Sequence, residues 1–205
     1  MGREGDVDQS KRATLRRFAA LGAASPLAGV ASASDGESDS DAPDAITGYL
    51  SATPGAHFSK VRDDLKLGTG ETQYHLRGLR EEGVIESRRD GDYRRFFPAG
   101  RFDEFQQVAL GTLRRETPRK MLIALLEGDR SPAEVADRVG VSRPTVSKHA
   151  TTLEKAGLLT REPEYAVVEP ETVLVLLVRY ADSFGEDAAR LADRAPDLLA
   201  YERDA

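Results

Sequence analysis

The feature that most limits how this chain can fold is a gapless internal match. Residues 58–87 align with residues 132–161 at a constant offset of 74. Five positions are identical: Val61 with Val135, Asp63 with Asp137, His75 with His149, Leu79 with Leu153, and Gly83 with Gly157. Leu65 with Val139, Leu67 with Val141, Val84 with Leu158 and Ile85 with Leu159 keep their apolar character. The matches fall where a helix would bury a side chain, present an equivalent position or end. Shared spacing of buried and terminating residues implies a shared backbone path, so two copies of one supersecondary unit are expected.

Each copy reads as helix, turn, helix, then strands. In the first, Ile46, Tyr49 and Leu50 mark a leading helix that ends near Thr53-Pro54-Gly55. Phe58, Val61 and Leu65 mark a second. Leu67-Gly68-Thr69-Gly70 is a turn, and Thr72, Leu76 and Leu79 give a third helix closed by Gly83. Residues 84–89 and 93–98 are strands around Asp90-Gly91-Asp92, whose Asp-Gly step is a hairpin signal. Phe102, Phe105, Val108, Ala109 and Leu113 mark an intervening amphipathic helix. In the second copy Pro118 opens a helix, Ser131-Pro132-Ala133-Glu134 is a capping-box sequence, and Ser142 caps the third helix. Val146, Ala150 and Leu153 are its buried face and Gly157 its end. Two short strands, 158–161 and 165–168, flank Glu162-Pro163-Glu164.

The stretch SPAEVADRVGVSRPTVSKHATTLEKAGLLTRE resembles the helix-turn-helix and first wing strand of ArsR- and MarR-like winged-helix transcription regulators. The residues that carry this are Val141-Ser142-Arg143-Pro144-Thr145-Val146-Ser147-Lys148-His149, Leu153 and Ala156-Gly157-Leu158-Leu159. The first copy, HFSKVRDDLKLGTGETQYHLRGLREEGVIESRRDGDYRRFFP, is similar but has a longer wing. Together, residues 44–185 resemble the tandem winged-helix regulators of haloarchaea. The resemblance implies a mainly α fold with small β-hairpin wings (α+β), made of two winged helix-turn-helix domains joined by a helix. The expected organisation is a disordered or signal-like segment and linker over 1–44, a first winged-helix domain over 45–100, and a linker helix over 101–117. A second domain over 118–169 and a C-terminal helix with an acidic tail over 170–205 complete it. The implied role is sequence-specific regulation of transcription on double-stranded DNA, in the cytoplasm.

Charge and residue type support that role independently. In such a unit the third helix buries one face and offers the other to the major groove. In the second copy this leaves Ser142, Arg143, Thr145, Ser147, Lys148 and His149 outward or flanking, with no carboxylate before Glu154. Hydroxyls and cations suit phosphates and base edges. The first copy offers Thr69, Gln73, Tyr74 and Arg77, but also Glu71, which would repel phosphate or accept from cytosine. Arg88, Arg89, Arg94 and Arg95 bracket its wing turn, which suits backbone or minor-groove contact unless Asp90 and Asp92 neutralise them. The second wing is short and acidic and should stay away from phosphate.

Composition removes other classes. The chain has no Cys, which excludes disulfides, thiolate metal sites and a Cys nucleophile. Its three His (His57, His75, His149) are widely spaced, and no Ser/His/Asp grouping, phosphate-cradling Gly loop or metal-ligand spacing occurs. No catalysis, cofactor, metal or small-molecule ligand is therefore expected. The net charge of −6 excludes a uniformly basic coat, yet residues 57–101 and 118–168 are the net-positive blocks. With 23 Arg, 6 Lys and many acids, the composition suggests a salt-loving cytoplasm. The acidity keeps one rival open, a winged-helix module that docks on proteins.

The two ends leave alternatives. Residues 10–33 carry the Arg16–Arg17 pair, a small-residue apolar run and Ala31-Ser32-Ala33, and resemble a twin-arginine export signal. Phe18 directly after the arginines departs from that pattern, and Leu15, Phe18 and Leu21 equally fit a short amphipathic helix. Residues 35–44 (DGESDSDAPD) read as a disordered linker. At the other end, residues 173–178 are apolar on all sides. That suits a homodimer formed through the C-terminal helix, or packing within the chain against the 102–115 helix.

Overall fold

A computed structural model describes residues 4–23, 41–128 and 130–198. They fall into two compact units that divide between Asp103 and Glu104. The first holds α1 (Glu4–Ala23), α2 (Asp41–Ala52), β1 (Ala56–His57), α3 (Phe58–Leu65), α4 (Thr69–Glu81), β2 (Ile85–Asp90) and β3 (Tyr93–Pro98). The second holds α5 (Glu104–Leu113), α6 (Glu116–Leu126), α7 (Pro132–Val139), α8 (Arg143–Lys155), β4 (Leu159–Thr160), β5 (Ala166–Val167), α9 (Pro170–Arg179), α10 (Ala181–Phe184) and α11 (Glu186–Leu198).

The internal repeat is structural. α3 and α7, like α4 and α8, begin and end 74 residues apart. The chain leaves the later helix of each pair identically. Gly83 and Gly157 take positive φ of 73° and 71°, and the next amides, of Val84 and Leu158, each donate to Leu79 or Leu153 at 2.9 Å. This left-handed step is open to glycine without a steric penalty, and it turns the strand back over the core. The capping box is formed as expected: Glu134 N–H donates to Ser131 Oγ at 3.3 Å and Ser131 N–H to Glu134 Oε2 at 2.8 Å.

In the first unit, Ile46, Tyr49 and Leu50 of α2 pack with Val61, Leu65, Leu76, Leu79, Ile85 and Phe96 in one core. Its antiparallel sheet runs β1–β3–β2. The β2–β3 register pairs Arg88 with Arg95 and Arg89 with Arg94. Directly opposed residues share a face of the sheet, so the four arginines divide between two faces.

Two expectations about the N-terminal region change. Residues 41–44 are the first turn of α2, with Ala42 fully buried, not the end of a linker. Residues 4–23, expected to be disordered or signal-like, form α1, which packs on α2 and α3. Leu15 is buried, and Phe18 meets the Tyr49 ring edge-on at 5.3 Å. A core apolar side chain contributes about 2 kcal/mol, which favours the amphipathic-helix reading for the part that is seen. Ala31-Ser32-Ala33 lies outside the described residues. Among those described, no helix is long and apolar enough to cross a membrane.

The second unit buries Ala109, Leu110 and Leu113 of α5 with Met121, Leu122, Val135, Val146 and Leu153. The helix expected to act as a linker is thus part of this core. α9 packs against α5, α10 and α11 of the same unit, which covers Val173, Leu174, Leu176 and Leu177. The apolar stretch therefore needs no second chain to shield it, and Val175 alone in it stays 55% exposed. α11 is held by Arg119 Nε donating to Asp187 at 2.8 Å and by Glu127, which pairs with Arg138 of α7 and Arg194 of α11.

Candidate nucleic-acid interface

α8 is fixed by its cap and by its apolar stripe. Ser142 Oγ accepts from Thr145 N–H at 3.4 Å and lies 2.9 Å from the Thr145 hydroxyl. Val146, Ala150 and Leu153 are buried at the spacing that turns one face inward. Ser142, Arg143, Ser147 and Lys148 are exposed, whereas Thr145 and His149 are half-buried at the edge of the stripe. Thr152 is exposed too, its hydroxyl donating back to Lys148 O at 3.1 Å. The outward face carries cations and hydroxyls, and the positive helix start lies at its end. Burial holds the His149 imidazole below its ordinary pKa, with Lys148 and Arg115 adding repulsion.

α4 presents Thr69, Gln73, Tyr74 and Arg77 outward, with Tyr74 at 74% exposure. Thr72, His75, Leu76 and Leu79 are buried. His75 and His149 share a repeat position but not an environment, since His75 is buried and His149 half-buried. Arg77 Nε donates to Glu81 at 2.8 Å, an exposed pair that holds the guanidinium only weakly.

Glu71 is not the obstacle its sequence position suggests. Its carboxylate accepts from Gly68 N–H at 3.0 Å and from Lys11 Nζ of α1 at 3.0 Å. Partial burial pushes its pKa upward, but the Gly68 amide and the Lys11 ammonium outweigh this and hold it below the usual carboxylate range. Sequence reasoning missed Lys11. The signal was present as an Arg/Lys-rich amphipathic segment, but its partner lies 60 residues away.

The wing requires one correction. Arg95 is 3% exposed and does not belong to a contact surface. Its Nε donates to Asp90 Oδ2 at 2.5 Å and its Nη1 to Gly55 O at 3.0 Å, tying the ribbon to the loop before β1. Arg88, opposite it on the same face, is half-buried. Arg89 and Arg94, paired on the other face, are exposed. Arg89 donates to Gly91 O at 3.3 Å and Arg94 to Ser87 Oγ at 3.2 Å, which holds both near the tip. Tyr93, absent from the expected contacts, is 51% exposed there. The wing thus offers two outward guanidiniums instead of four. The second wing is two residues per strand, with Glu162 and Glu164 exposed, as its acidic sequence implied.

His57, which caps α3, provides a pH test of the first unit. Its Nδ1 accepts from Lys60 N–H at 3.3 Å. Burial lowers its pKa from 6.5, with repulsion from Arg95 and Lys60 outweighing attraction from Asp63 and Asp64. A ring kept neutral by the fold takes its proton at lower pH than it does in the unfolded chain. Its stabilising effect is therefore complete above 6.5 and is lost as pH falls from there toward the depressed folded value. His149 acts in the same direction. Urea midpoints should fall between pH 7.5 and pH 5, and His57→Gln should reduce that fall. A flat profile in the parent protein would contradict the assignment.

Comparison with known proteins agrees with this geometry. Residues 40–110 match a family described as an N-terminal HTH domain, and residues 121–166 match the MarR family. An uncharacterized HTH-type transcriptional regulator of Methanocaldococcus jannaschii is 24% identical over 119 residues. That match covers 58% of this chain and 30% of the relative, so the chain spans under a third of that protein's length. With two trihelical cores, each ending in an antiparallel hairpin, the chain has a tandem winged helix-turn-helix architecture, and its second unit is similar to the MarR family.

Proposed function

We propose that the chain binds duplex DNA sequence-specifically and regulates transcription without catalysis. The observation that carries this is the outward face of α8, from Ser142 to Thr152, where Arg143, Ser147, Lys148 and Thr152 stand exposed and no carboxylate intervenes. α4 adds Thr69, Gln73, Tyr74 and Arg77, and the long wing adds Arg89 and Arg94, with Arg88 beside them. Side chains on α8 and α4 would read base edges, and the wing arginines would hold phosphates. Ser142 and Thr145 act first as a helix cap, and their amide end faces the backbone. In an archaeal cell, which the haloarchaeal resemblance implies, chromosomal DNA is in the cytoplasm, and the reading puts the chain there. A homodimer through the C-terminal helix would set two copies on a two-fold site, with the exposed Val175 as its remaining support.

The test is duplex affinity across a salt series. Phosphate contact makes the logarithm of the binding constant fall linearly with the logarithm of salt, by about 0.9 per neutralised phosphate. Replacing Arg89 and Arg94 together with Ala should flatten that line by up to about 1.8. Affinity that ignores both salt and these arginines would favour a protein-docking role. Glu71 does not speak against DNA here, because Gly68 and Lys11 already occupy its carboxylate.

A further inference from the structure

α1 has a second face that the fold leaves unused. Lys11, Leu15 and Phe18 lie one turn apart and point into the unit: Lys11 to Glu71 of α4, Leu15 into the core, Phe18 onto Tyr49. Arg12 and Arg16, each the next residue after Lys11 and Leu15 and so about 100° round the helix from them, are exposed on one flank, while the exposed Arg17 holds its guanidinium 5.9 Å from the centre of the Phe18 ring. Between Lys11 and Asp35 the chain has no carboxylate. The helix therefore brings Lys11 into direct contact with Glu71 in the first turn of α4 and carries the exposed Arg12–Arg16 flank beside that contact. It does so without acting as a lid, because Thr69, Gln73, Tyr74 and Arg77 remain exposed while α1 is docked.

Resting on the DNA-binding reading above, we propose that α1 is a further DNA-contacting element of the first unit. Its Lys11 neutralises Glu71, the acidic residue of the first turn of α4, and Arg12 and Arg16 lie along the phosphates flanking the groove that α4 enters. Three points support DNA as the occupant. The flank begins at Arg12, the next residue after the Lys11 that pairs with Glu71 of α4. Its charge is complementary to a phosphate backbone. Its row of arginines one helical turn apart follows a linear polyanion. Arg16, one half of the pair that resembles a targeting signal in the sequence, thus serves with Arg12 as an arm beside the reading helix.

The experiment uses the full chain and a fluorescent duplex that it binds, over a range of potassium chloride concentrations. Arg12→Ala combined with Arg16→Ala should reduce the salt slope by about 1.8 and weaken binding roughly tenfold or more near 0.1 M salt. The thermal midpoint should stay unchanged, since both side chains face solvent. An unchanged slope, with Lys148→Glu still removing binding, would overturn the role of α1 and leave the proposed function intact. A parent chain whose binding is salt-independent would overturn the proposed function itself. Loss of binding to anionic vesicles with an unaltered DNA slope would assign the arginines to a membrane and also overturn the proposal. The neutralising role is tested separately. Lys11→Met should weaken DNA binding in the parent and do so much less beside Glu71→Gln; equal losses in both backgrounds would reject it.

Discussion

Arg95→Ala is expected to destabilise the first unit by about 3 kcal/mol, read as a lower urea midpoint, while Arg94→Ala leaves the midpoint unchanged. The neighbouring arginines differ because a strand alternates its faces. Arg95 is 3% exposed and bridges Asp90 and the Gly55 carbonyl, whereas Arg94 stands in solvent near Ser87. Removing Arg95 strands a buried carbonyl and leaves a partly buried carboxylate without its cation, and each carries a desolvation cost. Asp90 keeps some access to water, with a side chain 26% exposed, which places the loss at the lower end of the range for broken buried pairs. Asp90→Asn should recover part of it by removing the stranded charge. In DNA binding the order reverses. Arg94→Ala should flatten the salt dependence by about one contact, while Arg95→Ala should act only through the weakened fold. Equal stability for the two variants would show that the wing register is not the one described.

Lys148→Glu should lower duplex affinity more than tenfold, for any sequence, with a change in unfolding free energy below about 0.5 kcal/mol. The residue sits on α8 opposite Val146, Ala150 and Leu153, so reversing its charge touches no core contact. It does place a carboxylate in a stretch that has none from Ser142 to Leu153. The change replaces attraction for phosphate with repulsion, which is why reversal should exceed simple truncation. A second observable is independent of DNA. Lys148 helps to depress the neighbouring His149, so the imidazole pKa read by NMR should rise in the variant. Retained affinity alongside a raised His149 pKa would move the interface off α8 while confirming the local electrostatics.

Much of this architecture is legible in the sequence, for a physical reason. Helix periodicity, the Ser131 and Ser142 caps, the helix-ending Gly83 and Gly157, and the Asp-Gly hairpin are local signals, each set within a few residues. Their recurrence at an offset of 74 is carried over to the boundaries of α3, α4, α7 and α8. The outward side of α8 follows from the same periodicity, because burying Val146, Ala150 and Leu153 determines where Lys148 and Thr152 point.

What the sequence by itself determined was therefore the order of helices and hairpin strands within each repeat, the duplicated unit and which residues share a face. Which of two faces is covered was decided only by tertiary structure, because covering comes from elements distant in the chain. Arg95 and Arg94 are equivalent as letters, and it is Gly55, 40 residues away, that draws one of them inside. Glu71 reads as a repulsive charge until Lys11, 60 residues earlier, packs against it. The apolar run of α9 asks for a partner, and α5 and α11 of the same unit supply it. Local sequence sets the pattern of polar and apolar positions, and long-range packing selects which polar groups remain for a ligand.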